Sequence, residues 1–148
     1  MALAPVEGMT PAELDGALAW AAAEGWNPGR HDAPAFWAAD PDGFFVLKVD
    51  GRVVSTLAAV RYDDGFGFLG LYITAPHLRR KGHGLELWCA GRAHLDGCVA
   101  GLDAVLEQEP TYARDGFATA YATTRYCVAE PSTLPAPPPL TTVAATDA

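Results

Sequence analysis

Apolar residues recur at helical spacing in the first part of the chain, and they predict a helix over residues 10–24. Thr10 is a suitable N-cap, and Glu13 stands where a capping box needs an acidic side chain. Gly25 is expected to end the helix, because a C-terminal glycine relieves the left-handed backbone found there. Residues 32–39 are predicted to add one or two further helical turns.

The spacing then changes to one typical of strands. Two runs rich in Phe, Val and Leu predict strands over residues 43–49 and 52–62, and the Asp-Gly pair between them favours a two-residue antiparallel hairpin. A turn at residues 63–65 leads to a third strand over residues 66–74. Its nearly continuous apolar sequence predicts a central position in the sheet.

The second half of the chain is predicted to alternate helices and strands. The expected elements are an amphipathic helix over residues 84–95, a strand over 98–106, a short helix over 110–115 and a final strand over 117–128. This order predicts an α/β fold in which helices pack against a mixed sheet.

The length of 148 residues allows one domain, which we expect to span residues 1–130. Five of the nine residues 131–139 are proline, and residues 131–148 show no periodicity. We therefore expect this segment to be a disordered tail.

Charge and composition narrow the functional classes. Ten Lys and Arg residues against eighteen Asp and Glu residues give a net charge of −8, which argues against nucleic acid as a partner and favours cationic ligands. The sequence contains neither a long apolar run nor an export signal, so we expect a cytoplasmic protein that does not bind membranes. Its three cysteines and scattered histidines predict buried free thiols and no metal site.

One segment combines glycine, positive charge and the start of a helix. Arg79, Arg80 and Lys81 precede a Gly-His-Gly sequence, and the predicted helix begins there. Free N–H groups at a helix N-terminus suit a phosphate or pyrophosphate. Three consecutive basic residues in an otherwise acidic chain also indicate an anionic ligand. The segment matches neither the Walker motif nor the dinucleotide-binding motif. An ordinary exposed turn with basic side chains remains the alternative interpretation.

Two motifs in this order resemble the GNAT superfamily of acyl-CoA N-acyltransferases. Arg79-x-x-Gly82-x-Gly84 matches the Arg/Gln-x-x-Gly-x-Gly/Ala motif, and the segment Tyr-Ala-Arg-Asp-Gly-Phe at residues 112–117 matches a Tyr-x-x-x-Gly-Phe segment. Segments 24–29 and 40–45 also resemble the catalytic domain of bacterial two-domain GNAT proteins. The resemblance covers nearly all of residues 6–128 and implies a mostly antiparallel sheet that splays at the cofactor site.

The resemblance implies that acetyl-CoA is the acyl donor. Pantetheine would lie on the third predicted strand where it splays from residues 98–106, and the pyrophosphate would lie on the basic loop. A backbone N–H of the splayed strand would polarise the thioester carbonyl. The expected cofactor-binding residues are Leu71, Tyr72, Ile73, Arg79, Arg80, Lys81, Gly82, His83 and Gly84.

The resemblance suggests a role for one further residue, and the needs of the reaction and the positions of other side chains suggest the rest. Tyr112 is the expected general acid for the leaving thiolate, and Asp103 is the expected general base, with Glu107 as a second carboxylate. Trp26 and Asn27 are expected to line the acceptor pocket. The alternatives are a packed tyrosine for Tyr112, a solvent-facing or turn-capping carboxylate for Asp103 and a core position for Trp26. Family members often carry Asn a few residues before the tyrosine, whereas residues 107–109 here are Glu-Gln-Glu.

The implied activity is N-acetylation of a primary amine on a small, cationic acceptor. The missing Asn and the absence of a visible second domain leave an alternative, which is an acyl-CoA-binding sensor or partner subunit with little turnover. Dimers are frequent in the family, so a homodimer is also an open alternative.

Overall fold

The computed structural model describes residues 5–62, 65–126 and 139. The chain divides into two compact units, residues 1–108 and residues 109–148. The turn predicted at residues 63–65 lies partly outside the described residues. The predicted tail over residues 131–148 lies outside them except for Pro139.

The first unit contains a five-stranded sheet with helices on both faces, which confirms the predicted α/β class. Strand order is β1-β2-β3-β4-β5, with antiparallel pairs from β1 to β4 and a parallel pair between β4 and β5. The bounds are β1 Val6–Gly8, α1 Pro11–Ala23, α2 Asp32–Ala39, β2 Phe44–Val49, β3 Arg52–Arg61, β4 Phe66–Thr74, α3 His83–His94 and β5 Val99–Leu102.

The predicted start and end of α1 and the predicted β2–β3 turn are confirmed. The Thr10 side chain accepts a hydrogen bond from the Glu13 N–H at 3.3 Å, and the Glu13 carboxylate accepts one from the Thr10 N–H at 2.7 Å. Gly25 adopts a left-handed conformation with a φ of 81° after α1, and Asp50 and Gly51 adopt positive φ in the β2–β3 hairpin. These local signals were sufficient because each depends on residues close together in sequence.

The sheet separates two helical layers. Side chains of α1 pack with alternate residues of β2 and β3, including Val46, Ala58 and Val60. Leu57 and Ala59 point to the opposite face, because successive side chains of a strand alternate, and there they meet α3 near Gly91. Helix α3, which begins at the basic loop, is therefore fixed directly against the centre of the sheet.

Gly91 allows this close approach. A Cβ at this position would lie 2.5 Å from Leu57 Cδ2 and 3.2 Å from Ala59 Cβ. We expect Gly91→Ala to lower the free energy of unfolding by about 1–3 kcal/mol because of overpacking. Gly16→Ala, in α1 with no atom within 4 Å of an added Cβ, is the matched control. Gly16→Ala should raise the free energy of unfolding by up to about 1 kcal/mol. Equal changes in the unfolding free energies of the two variants, measured with urea, would contradict the close packing assigned to Gly91.

A polar cluster holds the C-terminal end of α3 on the sheet. Asp40 Oδ2 accepts a hydrogen bond from the Arg61 N–H at 2.8 Å and lies 2.7 Å from His94 Nε2. The Arg61 guanidinium donates to the His94 carbonyl at 2.8 Å. Burial raises the pKa of Asp40, but these hydrogen bonds and the His94 ring outweigh it and leave that pKa below its ordinary value.

Two predicted strands differ from the structure. The strand predicted over residues 98–106 ends at Leu102, so Asp103 lies beyond β5 and is exposed. The pairing of β5 with β4 ends at Leu69↔Leu102. Residues 117–126 form no strand, because these described residues are mostly exposed and pair with no other strand. The short helix predicted before them is confirmed as α4, Glu109–Arg114.

The prediction of buried thiols is wrong for the described cysteines. Cys89 is exposed on α3, and Cys98 is half-buried before β5. Cys127 lies outside the described residues. Cys89 lies between buried residues along α3, but its side chain faces solvent. The usual preference of free cysteines for burial therefore does not apply to it.

Candidate acyl-CoA site

Strand β4 carries a β-bulge in its middle. Thr56 pairs with Ile73 and Ala58 pairs with Gly70, so one residue of β3 lies opposite two residues of β4, Leu71 and Tyr72. Leu71 adopts a φ of 48°, a left-handed conformation that is uncommon for a branched apolar residue. Such bulges bend the strand and redirect its backbone groups.

The bulge coincides with a gap in the sheet. Strands β4 and β5 pair from Phe66↔Val99 to Leu69↔Leu102 and no further. Within the described part of the chain, the outer edge of β4 from Gly70 onwards therefore has no partner strand. The three residues predicted to pair with pantetheine, 71–73, lie on this edge. An extended ligand could add to it as a further strand.

The loop after β4 presents backbone N–H groups at the start of α3. Gly82 is the N-cap of α3, with a φ of 91° and no side-chain cap, and Arg80 also adopts a positive φ of 62°. The next glycine packs closely against β4, because a Cβ on Gly84 would lie 2.7 Å from the Tyr72 hydroxyl oxygen, so a larger residue there would displace the Tyr72 side chain. The uncapped N–H groups and the helix dipole suit a pyrophosphate.

The three basic side chains of the loop are not equivalent. Arg79 Nε donates to the Thr74 carbonyl at 2.9 Å, and its guanidinium forms an ion pair with Glu24 at the end of α1. Arg80 and Lys81 are exposed and form no ion pair with another described residue. Arg79 thus fastens the loop to the end of α1, whereas the other two side chains remain exposed to solvent.

One buried atom at the loop lacks a partner. His83 Nδ1, in the first residue of α3, is buried and makes no hydrogen bond within the described residues. Buried polar atoms normally have partners. Together with the open edge of β4 and the uncapped helix start, this atom indicates that the residues present fit an acyl-CoA.

The predicted acceptor residues lie in the α1–α2 loop. The Trp26 N–H donates to the Ala21 carbonyl at 3.0 Å, and Asn27 adopts a φ of 52°. Both lie within three residues after Glu24, so the Glu24–Arg79 ion pair places the start of their loop beside the loop that precedes α3. The predicted carboxylates Asp103 and Glu107 are both exposed after β5.

Tyr112 lies in α4, in the second unit. Its carbonyl accepts hydrogen bonds from the N–H groups of Asp115 and Phe117 at 3.0 and 3.1 Å. Its ring contacts the Phe117 ring edge to face, with centroids 6.2 Å apart. Burial raises the pKa of the Tyr112 phenol above its ordinary value of 10.0. The proton therefore stays on the phenol at neutral pH.

Two residues of the site were missed from the sequence. Glu24 stands at the end of the predicted helix, and the sequence does not indicate its contact with Arg79, which is 55 residues away. Thr56 lies within a predicted apolar strand, and the sequence gives its hydroxyl no role. In the structure Thr56 is only 1% exposed, and its hydroxyl donates a hydrogen bond to the Leu71 carbonyl at 2.7 Å. The available signal was two adjacent hydroxyl residues within the otherwise apolar β3 sequence.

The sequence model of the acetyltransferase (GNAT) family matches residues 13–117. A holothin acyltransferase from Pseudoalteromonas sp. (strain SANK 73390) is 39% identical over 106 residues, which are 72% of this chain and 36% of that protein. The chain therefore spans about a third of the length of this relative.

Solved structures show the same fold. Ard1 from Thermoplasma volcanium superposes with a TM-score of 0.67 at 17% identity, covering 79% of this chain and 84% of the other. N-acetylglutamate synthase from Neisseria gonorrhoeae, complexed with coenzyme A and L-arginine, superposes with a TM-score of 0.61 at 16% identity. That match covers 82% of this chain and 28% of the synthase.

The described residues contain neither a cluster of metal ligands nor a helix able to cross a membrane. No group of three or more His, Cys, Asp or Glu side chains is arranged there to hold a metal ion. Among the same residues, no helix has the length and apolar character needed to cross a membrane.

Proposed function

This chain belongs to the acetyltransferase (GNAT) family, and we propose that it transfers an acetyl group from acetyl-CoA to the primary amine of a small acceptor. The observation that carries this proposal is the bulged, unpaired edge of β4 leading into the uncapped start of α3. Family membership and an acyltransferase relative support acyl transfer as the reaction class.

In this proposal the backbone binds the donor. Residues 71–73 of β4 pair with pantetheine, and the N–H groups of residues 80–84 hold the pyrophosphate. Arg80 and Lys81 add positive charge, while Arg79 contributes by holding the loop against Glu24. Bound acetyl-CoA supplies an activated thioester carbonyl.

Transfer would proceed by direct attack of the amine. The amine nitrogen forms a bond to the thioester carbon, and the backbone N–H groups of the bulge stabilise the negative charge that develops on the carbonyl oxygen. The carbon–sulfur bond then breaks, and the Tyr112 phenol donates a proton to the thiolate. The attacking nitrogen loses its proton to Asp103, Glu107 or a water chain.

The acceptor is proposed to be cationic and small. The net charge of −8 favours encounter with cations, and Trp26 and Asn27 lie shortly after Glu24, which contacts the loop before α3. The relative is named as an acyltransferase of holothin. A screen for activity should therefore also include acyl-CoA donors longer than acetyl-CoA and amines that resemble holothin.

Thiol release from acetyl-CoA, measured with a panel of primary amines, tests this function. We expect release that depends on the protein and on the amine, together with an acetylated amine detected by mass spectrometry. Boiled protein and the N-methylated tertiary amines serve as controls. Tight binding of acetyl-CoA without amine-dependent release would contradict acyl transfer and favour an acyl-CoA-binding module.

A further inference from the structure

Two buried hydroxyl groups interrupt the apolar sequence of β3. Ser55 and Thr56 are 0% and 1% exposed. The Ser55 hydroxyl lies 2.7 Å from the Thr74 hydroxyl oxygen and 3.2 Å from the Ile73 carbonyl oxygen. Burying a hydroxyl is unfavourable unless it is hydrogen-bonded, so both residues depend on their contacts with β4.

The Thr56 hydroxyl acts on the bulge itself. It donates to the Leu71 carbonyl at 2.7 Å, and its next contact is the Ile73 carbonyl at 3.5 Å. The Leu71 carbonyl therefore points towards β3. Because the peptide bonds are trans, the C=O and N–H of one peptide unit point in opposite directions. The Tyr72 N–H, which shares this unit, is therefore directed away from the Thr56 hydroxyl.

We propose that Thr56 is a positioning residue for acyl transfer: its hydroxyl holds the Leu71 carbonyl and so aims the Tyr72 N–H at the thioester oxygen. The inference rests on the proposed function and identifies which bulge N–H polarises the carbonyl. Leu71 holds a strained φ of 48°, which persists only where surrounding contacts enforce it. The Thr56 hydroxyl is such a contact, and it reaches the bulge from the strand opposite the ligand.

Thr56→Val tests the proposal, because valine keeps the shape of the side chain and removes the hydroxyl. We expect kcat for acetyl-CoA-dependent transfer to fall by about 10- to 100-fold, since a displaced catalytic group loses its alignment. KM for acetyl-CoA should stay within about threefold, as for an interaction made mainly in the transition state. Thr56→Ser, which retains the hydroxyl, should restore most of kcat.

Val60→Ala is the matched control for lost stability. Val60 is 5% exposed, lies on the same strand as Thr56 and pairs with Phe68, before the bulge. Val60→Ala should lower the melting temperature and leave kcat within about twofold of the wild type. Equal losses of kcat in Thr56→Val and Val60→Ala, or an unchanged kcat in Thr56→Val, would overturn the proposal.

An amide spectrum of the ligand-free protein separates this proposal from the proposed function. In ¹H–¹⁵N correlation spectra, Thr56→Val should shift the Tyr72 amide strongly, whereas Val60→Ala should not. In the wild type, acetyl-CoA should move the same signal more than CoA does. If neither ligand binds, the proposed function fails and the catalytic role of Thr56 falls with it. If both bind and the Tyr72 signal responds equally to both, only the positioning role is wrong.

Discussion

Replacing Gly82 by valine is expected to weaken acetyl-CoA binding by about 10- to 100-fold, because the left-handed conformation at this position costs a branched residue about 1–3 kcal/mol. Gly82 is the N-cap of α3 and has a φ of 91°. To relieve the strain, the loop must turn its N–H groups away from the position proposed for the pyrophosphate. Isothermal titration calorimetry with acetyl-CoA measures the loss.

The control for Gly82→Val is Gly97→Val. Gly97 also has a positive φ, of 80°, and nothing lies within 4 Å of an added Cβ there. It follows the opposite end of α3, so it should cost similar stability and leave acetyl-CoA affinity unchanged. Retained affinity in Gly82→Val would show that the pyrophosphate does not depend on this loop.

Replacing Tyr112 by phenylalanine should lower kcat by about 100-fold or more, within the range for loss of a general acid. The dissociation constant of CoA should stay nearly unchanged, because only the phenolic hydroxyl is removed. Burial raises the pKa of this phenol above 10.0, so the acid form persists through neutral pH. The wild-type rate should fall only at strongly alkaline pH, as the phenol ionises.

Tyr121→Phe is the control for this substitution. Tyr121 lies in the same unit, is 75% exposed and should tolerate the change with no effect on kcat. The alkaline limb of the pH–rate profile should be absent in Tyr112→Phe and present in Tyr121→Phe. Equal rates in the two variants would remove Tyr112 from the mechanism and return it to a packing role.

The elements that were predicted well are those specified by neighbouring residues. The capping box at Thr10 and Glu13 and the hairpin at residues 50–51 each depend on a few adjacent positions. Strand β4 was also placed correctly, because its apolar run is bounded on both sides by turn residues. Strand β1 was missed, since three residues carry too little pattern and depend on β2 for their pairing.

The segments that form the candidate site could be predicted from the sequence, but their backbone conformation and mutual contacts could not. The basic residues and glycines of the loop indicated an anion site, and their family resemblance indicated acyl-CoA. The bulge at Leu71 could not be predicted, because its positive φ is enforced by Thr56, a residue of another strand. The Arg79–Glu24 ion pair joins residues that are 55 positions apart in sequence. The final strand over residues 117–128 was wrong in its described part, because β propensity without a partner strand forms no sheet.

Calorimetric titration of the wild-type protein with acetyl-CoA, accompanied by a thermal-shift series, tests the central claim most directly. The account predicts saturable one-site binding and a melting temperature that rises with ligand concentration. At 100 times the dissociation constant, the stabilisation should be about 2.7 kcal/mol. Absence of both heat and stabilisation at millimolar acetyl-CoA would contradict the assignment of β4 and the α3 loop as an acyl-CoA site.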